Sequence, residues 1–501
     1  MRIGRDARRG VGGGGTRVLS AAGTTDAKRF GRNVASMSLA QFVAQVLTLA
    51  ASIVIARTLG VTAYGILAFG FAFPSWFLLL VSLGLDEVMA IEVAADRSRA
   101  RRYLTLVALL RLPLAGVALA ALWLATYAIL ADPLARTVTI VLGASTVITT
   151  YANTFTSVFR AFEKLEFGAA VTVIERSVTV GAAIVLIALG HGLYEVSLAF
   201  LGGSFLLLAL SGAIAQRRFA RFTRDVDGRS LAHILRQATP FGLFNAVGTF
   251  SYSTGLVLLG VLRGQTEAGL FNASFALLFA LFSFLSIISL ATLPMMSRIH
   301  QESRERLAAI LRQMQRLSFI LGIPIAFGGW FYAEQIITTF YGSAFQASVE
   351  SFRVLLLCFA VETASVGIGP ALAATGHAKQ KLYIASAGAA VTIVLSIALI
   401  PSFGLLGAAF AFLASRILFA VVGGIVVRRY VGPLSVTAPF VKSVFASSVM
   451  LVGLLALPAQ SLWTGVPLGG LIYFATVWVV RGTSYEDRLV VWHALRGALF
   501  R

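Results

Sequence analysis

The sequence predicts an all-α polytopic membrane protein of about fourteen transmembrane helices, with two six-helix lobes related by a pseudo-twofold along the membrane normal and two further helices. Three observations carry this prediction: apolar runs long enough to cross a bilayer, basic residues confined to alternate gaps between those runs, and an internal repeat. A hydrocarbon core about 30 Å thick needs about 20 apolar helical residues. Runs of that length fall at 32–56, 63–85, 104–131, 135–158, 168–189, 193–215, 240–262, 267–296, 313–333, 349–374, 382–400, 404–427, 438–457 and 462–480. Mean hydropathy is +0.86 and only 12% of residues are charged, so an ordinary soluble domain is excluded.

A net charge of +20 in a soluble chain would suggest nucleic acid. Here 33 of the 41 basic residues lie in the two tails and in the gaps after even-numbered runs, against four (Arg57, Arg136, Arg263 and Arg353) in the odd gaps and their margins, with Arg111, Arg176, Arg416 and Lys442 inside runs. By the positive-inside rule both termini are cytoplasmic, the span number is even and the bacterial inner membrane is the location. Nucleic acid is not a partner on this reading; membrane lipid is.

Taken in order, residues 1–31 form an Arg-rich tail with Gly12 to Gly15, expected to be disordered and drawn to anionic lipid. It lacks the apolar core and small-residue cleavage site of a removable signal peptide. Residues 32–215 make the N-terminal lobe, 216–239 a cytoplasmic linker, 240–430 the C-terminal lobe, 431–480 two additional helices and 481–501 a cytoplasmic tail. The repeat supports this division. Gly60, Thr62 and Gly65 match Gly264, Thr266 and Gly269 at an offset of 204, and Gly192-Leu193 with Ala199-Phe200-Leu201 matches Gly404-Leu405 with Ala411-Phe412-Leu413 at 212. Both offsets carry runs one to six onto runs seven to twelve; six is even, so the copies are parallel.

An ionisable group in mid-membrane costs roughly 3 kcal/mol or more and is a functional candidate by default. Arg416 lies near the middle of the twelfth run and Glu362 at mid-depth in the tenth; they either pair structurally or serve, respectively, substrate binding and ion coupling. Glu175 and Arg176 are adjacent, about 100° apart on a helix, so they face different surroundings. Glu175 is expected to pair with Arg111 or to couple an ion, while Arg176 and Arg111 either snorkel or bind substrate. Arg57 and Arg263 close the first and seventh runs, either as helix C-terminal caps or at an outer mouth. Ser38, Gln41, Gln45, Thr48 and Ser52 share one face of the first run, which lines a path or bonds to another helix. Asn245, Thr249, Ser251, Tyr252 and Ser253 add polarity to the seventh run, and Asn272 and Ser274 to the eighth.

Cys358 is the only cysteine and reads as a small buried hydrophobe. No catalytic or cofactor motif is present, none of the five histidines lies deep in a run, and no metal site is expected. A membrane polymerase or ligase, the alternative of a different class, would usually carry long external loops with clustered carboxylates.

Ala56-Arg57-Thr58-Leu59-Gly60 leading into Ala63-Tyr64-Gly65, Ser82-Leu83-Gly84-Leu85-Asp86, Thr239-Pro240, Leu293-Pro294, and Ile400-Pro401 with Phe403-Gly404-Leu405-Leu406-Gly407-Ala408-Ala409 resemble the bacterial polysaccharide transporters over about residues 33–480. These belong to the multidrug/oligosaccharidyl-lipid/polysaccharide exporter superfamily. The resemblance implies two six-helix lobes plus two helices, no enzymatic activity, and outward translocation of a polyprenyl-diphosphate-linked oligosaccharide for cell-surface polysaccharide, with polymerases or assembly proteins as partners. Arginines suit the diphosphate because the guanidinium fork gives paired hydrogen bonds to phosphate oxygens. An ion-coupled drug or metabolite antiporter is the alternative within the superfamily.

Overall fold

The computed structural model describes residues 15–223, 228–432, 437–457 and 461–480, with side chains from residue 43 onward except at 228–230, 232, 284, 286–295, 297–298 and 300–302. All regular structure among the described residues is helical: α1 (Gly15–Ser82), α2 (Leu85–Ala95), α3 (Ala100–Ile129), α4 (Pro133–Ala161), α5 (Leu165–Ala188), α6 (Leu193–Arg218), α7 (Gly228–Leu262), α8 (Gln265–Glu302), α9 (Arg304–Phe331), α10 (Ala333–Tyr341), α11 (Val349–Ser365), α12 (Ile368–Ala374), α13 (Ala378–Phe403), α14 (Leu405–Tyr430), α15 (Thr437–Ala456) and α16 (Leu462–Val479). Twelve helices among the described residues are long and apolar enough to cross a membrane, with α1 counted once, and thirteen if α9 and α10, bent by 77°, form one broken span.

The difference from the fourteen expected spans lies in α1, whose 68 residues carry the first two. A straight helix of that length would be about 100 Å long, some three bilayer cores. Gly60 breaks it with φ 84 and ψ 177, a backbone region essentially confined to glycine. The chain doubles back there. The hydroxyls of Ser52 and Tyr64 lie 2.6 Å apart, although a straight helix would separate positions twelve residues apart by about 18 Å. An outgoing arm therefore ends at Leu59 and a returning arm begins at Val61.

Other boundaries also move. Helix begins at Gly15, so residues 15–31 differ from the disordered segment expected, and residues 1–14 lie outside the described ones. The expected gap after residue 85 opens with α2, and α7 takes up residues 228–239 of the expected linker. The tenth expected span breaks at Gly367, φ 86, into α11 and α12. Asp132 starts α4 sharply, its carboxylate accepting from the amides of Leu134 and Ala135 with Pro133 in the first turn.

The returning arm buries Tyr64, Phe69 and Phe73 in a core with Leu122 of α3, Leu142 of α4 and Val196 of α6. A second core joins Phe271 and Phe282 of α8, Leu311 of α9, Phe359 of α11 and Phe412 of α14. Met450 of α15 and Tyr473 of α16 attach to Ile320 and Tyr332 beside α9. Apolar side chains such as Leu471, Phe474 and Trp478 of α16 remain exposed, as a surface solvated by lipid requires.

The repeated motif has a structural counterpart. Gly264, between α7 and α8, has φ 94 and ψ 174, nearly the values at Gly60. The two hairpins meet: the Thr62 and Thr266 hydroxyls are 2.9 Å apart, a Cβ on Gly65 would fall 1.7 Å from the Gln265 carbonyl oxygen, and one on Gly269 would fall 2.3 Å from that of Val61. Backbones therefore touch at a point closed to any side chain. Arg111 of α3 and Gln315 of α9, also 204 apart, each donate to a main-chain carbonyl of a neighbouring helix, Thr150 and Ala364 respectively. The second matched pair is less alike, since Gly192 and Gly404 both precede helices (α6 and α14) but have φ −89 and φ 54.

Candidate functional site

A cavity of about 500 Å³ lies between both arms of α1 and helices α5, α6, α7 and α8. Gln45, Thr48 and Ser52 of the outgoing arm line it, the polar face read from three- and four-residue spacing. Tyr252 and Asn272 add hydroxyl and amide groups, and Arg176 reaches in from α5. The roof towards the hairpins is aromatic: Tyr64 bonds Ser52 and packs on Tyr341 and Phe345, with ring centroids 6.0 and 5.9 Å away. On this side, the face with few basic residues, the two hairpins touch backbone to backbone at Gly65 and Gly269.

A second cavity of about 510 Å³ adjoins the first, with Ser75 and Thr249 in both walls. It lies towards the basic face, beside the start of α2, and Asp86, Glu87, Asn153, Arg160, Thr172 and Asn245 line it. Gly84, at φ 79, turns the chain into α2, and here too helices touch through glycine: a Cβ on Gly84 would come 2.5 Å from the Ala238 carbonyl oxygen.

The structure disperses the expected arginines. The Arg176 side chain is 35% exposed, lines the central cavity and ion-pairs through Nε with the Glu175 carboxylate at 3.5 Å. Glu175 is buried, accepting from the Thr179 hydroxyl at 3.1 Å. It does not meet Arg111 as expected, because Arg111 is fully buried and bonds Asp86 at 2.7 Å, the Thr150 carbonyl at 2.7 Å and the Thr154 hydroxyl. The competing partner is closer: Asp86 stands at the start of α2, just past the end of the second apolar run.

Arg416 and Glu362 do come together, at 3.9 Å, and the guanidinium lies over the rings of Tyr252, Phe412 and Phe419, 5.4, 5.1 and 6.0 Å from their centroids. The pair sits behind Tyr252, whose ring touches both the guanidinium and the central cavity. Arg57 is exposed near the α1 hairpin, and Arg263, exposed beside the other, pairs with Glu267 at 2.9 Å. Gln45 lines the central cavity and Asn245 the second, donating to Glu87 at 3.4 Å; the side chain of Gln41 lies outside the described residues. Among the described residues Arg176 is the one cation on the central wall.

Sequence reasoning missed Asp86, Glu87, Asn153 and Arg160. A signal existed: the gap after Gly84 opens with two adjacent acids, Asp86 and Glu87, well ahead of its basic cluster Arg97 to Arg102. Arg160 passed as one more charge in the basic-face tally. Cys358 is buried, and no group of three or more His, Cys, Asp or Glu among the described residues could hold a metal ion.

Two stability results are expected. Arg111→Met removes the fully buried partner of the mostly buried Asp86 carboxylate and should cost about 3–5 kcal/mol, read as a lower unfolding midpoint in detergent, with Arg111→Met/Asp86→Asn recovering much of it. An unchanged midpoint in the single variant would sink the assignment. Arg416→Ala should destabilise in the same sense because it leaves Glu362 unpaired, and Glu362→Gln on top of it should restore the midpoint.

The described helices make a multi-pass membrane protein with a polar cavity beneath two crossing hairpins. The chain belongs to the polysaccharide biosynthesis protein family, whose profile matches residues 30–300, more than half of its length. The fold matches the lipid II flippase MurJ in an inward closed conformation, with TM-score 0.67, 16% identity, and coverage of 90% of this chain and 99% of that one. It also matches an inward-facing multidrug resistance MATE transporter (TM-score 0.64, 17% identity, 79% and 95% covered) and a transporter of the same superfamily from Pyrococcus furiosus (0.59, 16%, 81% and 96%). An uncharacterized membrane protein, MJ1375 of Methanocaldococcus jannaschii, is 24% identical over 246 residues, 47% of this chain; the chain spans 58% of that relative's length. The protein is thus a multi-pass membrane protein of the polysaccharide biosynthesis protein family whose fold is the one these transporters share.

Proposed function

We propose that this protein is a flippase that moves a polyprenyl-diphosphate-linked oligosaccharide from the cytoplasmic to the outer leaflet of a bacterial inner membrane. The central cavity supports this reading: it combines a hydroxyl- and amide-bearing helix face with a guanidinium, and the hairpins beyond it touch backbone to backbone on the face with few basic residues. Taking the basic face as cytoplasmic, both termini lie inside and the hairpin contact lies on the outer side.

A diphosphate cannot enter hydrocarbon without donors that replace its water. Arg176 supplies such donors at membrane depth, and Glu175 holds the guanidinium in place. The first six spans and the next six act as two lobes, counting the arms of α1 separately, with α15 and α16 appended. The glycine hairpins let the lobes separate at the outer face while the inner face closes. Glu362, tied to Arg416, is the candidate for ion coupling. A polyanionic substrate suits this guanidinium-bearing cavity better than a cationic drug does.

The test is mass spectrometry of the lipid extract from a deletion strain. Accumulated polyprenyl-diphosphate glycan with loss of surface polysaccharide is the expected result and identifies the cargo. Unchanged lipid-linked glycans would overturn the reading in favour of a small-molecule antiporter.

A further inference from the structure

The two adjoining cavities differ in chemistry. The central one offers a guanidinium, amides and hydroxyls; the second adds two adjacent carboxylates, Asp86 and Glu87. Arg111 occupies one oxygen of Asp86 and the other, Oδ1, is buried without a partner, which leaves Glu87 as the open carboxylate of this cavity. Glu87 accepts from Asn245 at 3.4 Å, a long bond. Across the cavity stand the amide of Asn153 on α4 and the hydroxyl of Thr172 on α5. Arg160 donates to Ser157 at 2.7 Å and lines the same wall.

Carboxylate oxygens only accept, so a ligand that satisfies this wall must bring donors. A diphosphate brings none and is repelled by the Glu87 carboxylate, the acid of the two without an ion pair to Arg111, so Arg160 is left to meet acceptors of a neutral ligand. A sugar brings hydroxyls that donate to carboxylates while their oxygens accept from amide and guanidinium groups. A volume of about 510 Å³ lies within the roughly 300–1,000 Å³ of small-molecule sites. The shared wall at Ser75 and Thr249 leads from this space to the cavity of Arg176.

We propose that the cavity of Asp86, Glu87, Asn153 and Asn245 is a carbohydrate subsite that holds the sugar attached to the diphosphate; this rests on the flippase reading. The division of labour is electrostatic. The acceptor-rich diphosphate stays with Arg176, and the donor-rich sugar lies against Glu87.

The full-length protein in lipid nanodiscs is titrated with two probes, polyprenyl diphosphate and polyprenyl-diphosphate-linked N-acetylglucosamine. The wild type is expected to bind the sugar-bearing lipid about tenfold more tightly. Glu87→Gln and Asn153→Ala should each erase that preference while leaving affinity for the bare lipid unchanged. A wild type without preference, variants that keep it, or variants that lose both lipids alike would each overturn the subsite. So would a Glu87→Gln effect reproduced in the wild type by exchanging sodium for choline, which would identify a cation site. Failure of the wild type to bind either lipid would remove the flippase reading itself, an outcome distinct from loss of sugar preference alone.

Discussion

Replacing Gly65 with valine is expected to abolish display of surface polysaccharide while the protein remains in the membrane. A Cβ at this position would lie 1.7 Å from the Gln265 carbonyl oxygen, and main chain cannot move aside as a flexible side chain can. The returning arm of α1 and the start of α8 must then part, opening the roof of the central cavity. A cysteine reporter reads that opening directly. In a Cys358→Ala background, which removes the only native thiol, Thr48→Cys places a thiol on the cavity wall. An impermeant maleimide applied from outside should label it at least tenfold faster in the Gly65→Val protein. Normal export with an unchanged labelling rate would show that the hairpin crossing is not a gate. Gly269→Val should behave alike, since its Cβ would lie 2.3 Å from the Val61 carbonyl oxygen.

Arg176→Ala should reduce export by one to two orders of magnitude and cause lipid-linked glycan to accumulate. Charge-assisted hydrogen bonds contribute about 1.5–3 kcal/mol each, and a 1.4 kcal/mol loss is tenfold in affinity. Arg176→Lys keeps the charge but loses the planar fork, so partial export is expected. Glu175→Gln should weaken export less than Arg176→Ala, because Glu175 only positions the guanidinium. Wild-type export by Arg176→Ala, quantified as surface polysaccharide per cell, would eliminate this side chain from diphosphate binding.

Gly60 and Gly264 show how far the repeat could be read. Their equivalence was visible as a sequence offset, and both adopt the same glycine-only backbone state. The meeting of the two copies, hydroxyl to hydroxyl at Thr62 and Thr266, was not visible, because a repeat states likeness and not contact. Arg416 and Glu362 were legible as a pair since two opposite charges deep in one membrane protein have few other partners. The sequence pairs Glu175 with Arg111 for the converse reason: Asp86, just past the end of the second apolar run, is not seen along the chain as a neighbour of Arg111.

The sequence by itself determined that the chain is a bundle of membrane-crossing helices, which face is basic, and which residues of the outgoing arm of α1 share a polar face. Hydrophobic run length, charge placement and helical periodicity are properties of a chain read along its own axis. Only the tertiary structure decided that Arg176 enters the cavity while Arg111 and Arg416 stand behind it, and that Asp86, Glu87, Asn153 and Asn245 share one space. Those outcomes depend on which helices become neighbours and at what rotation. That choice is made by backbone contact at glycines and by packing across cores that no single helix contains.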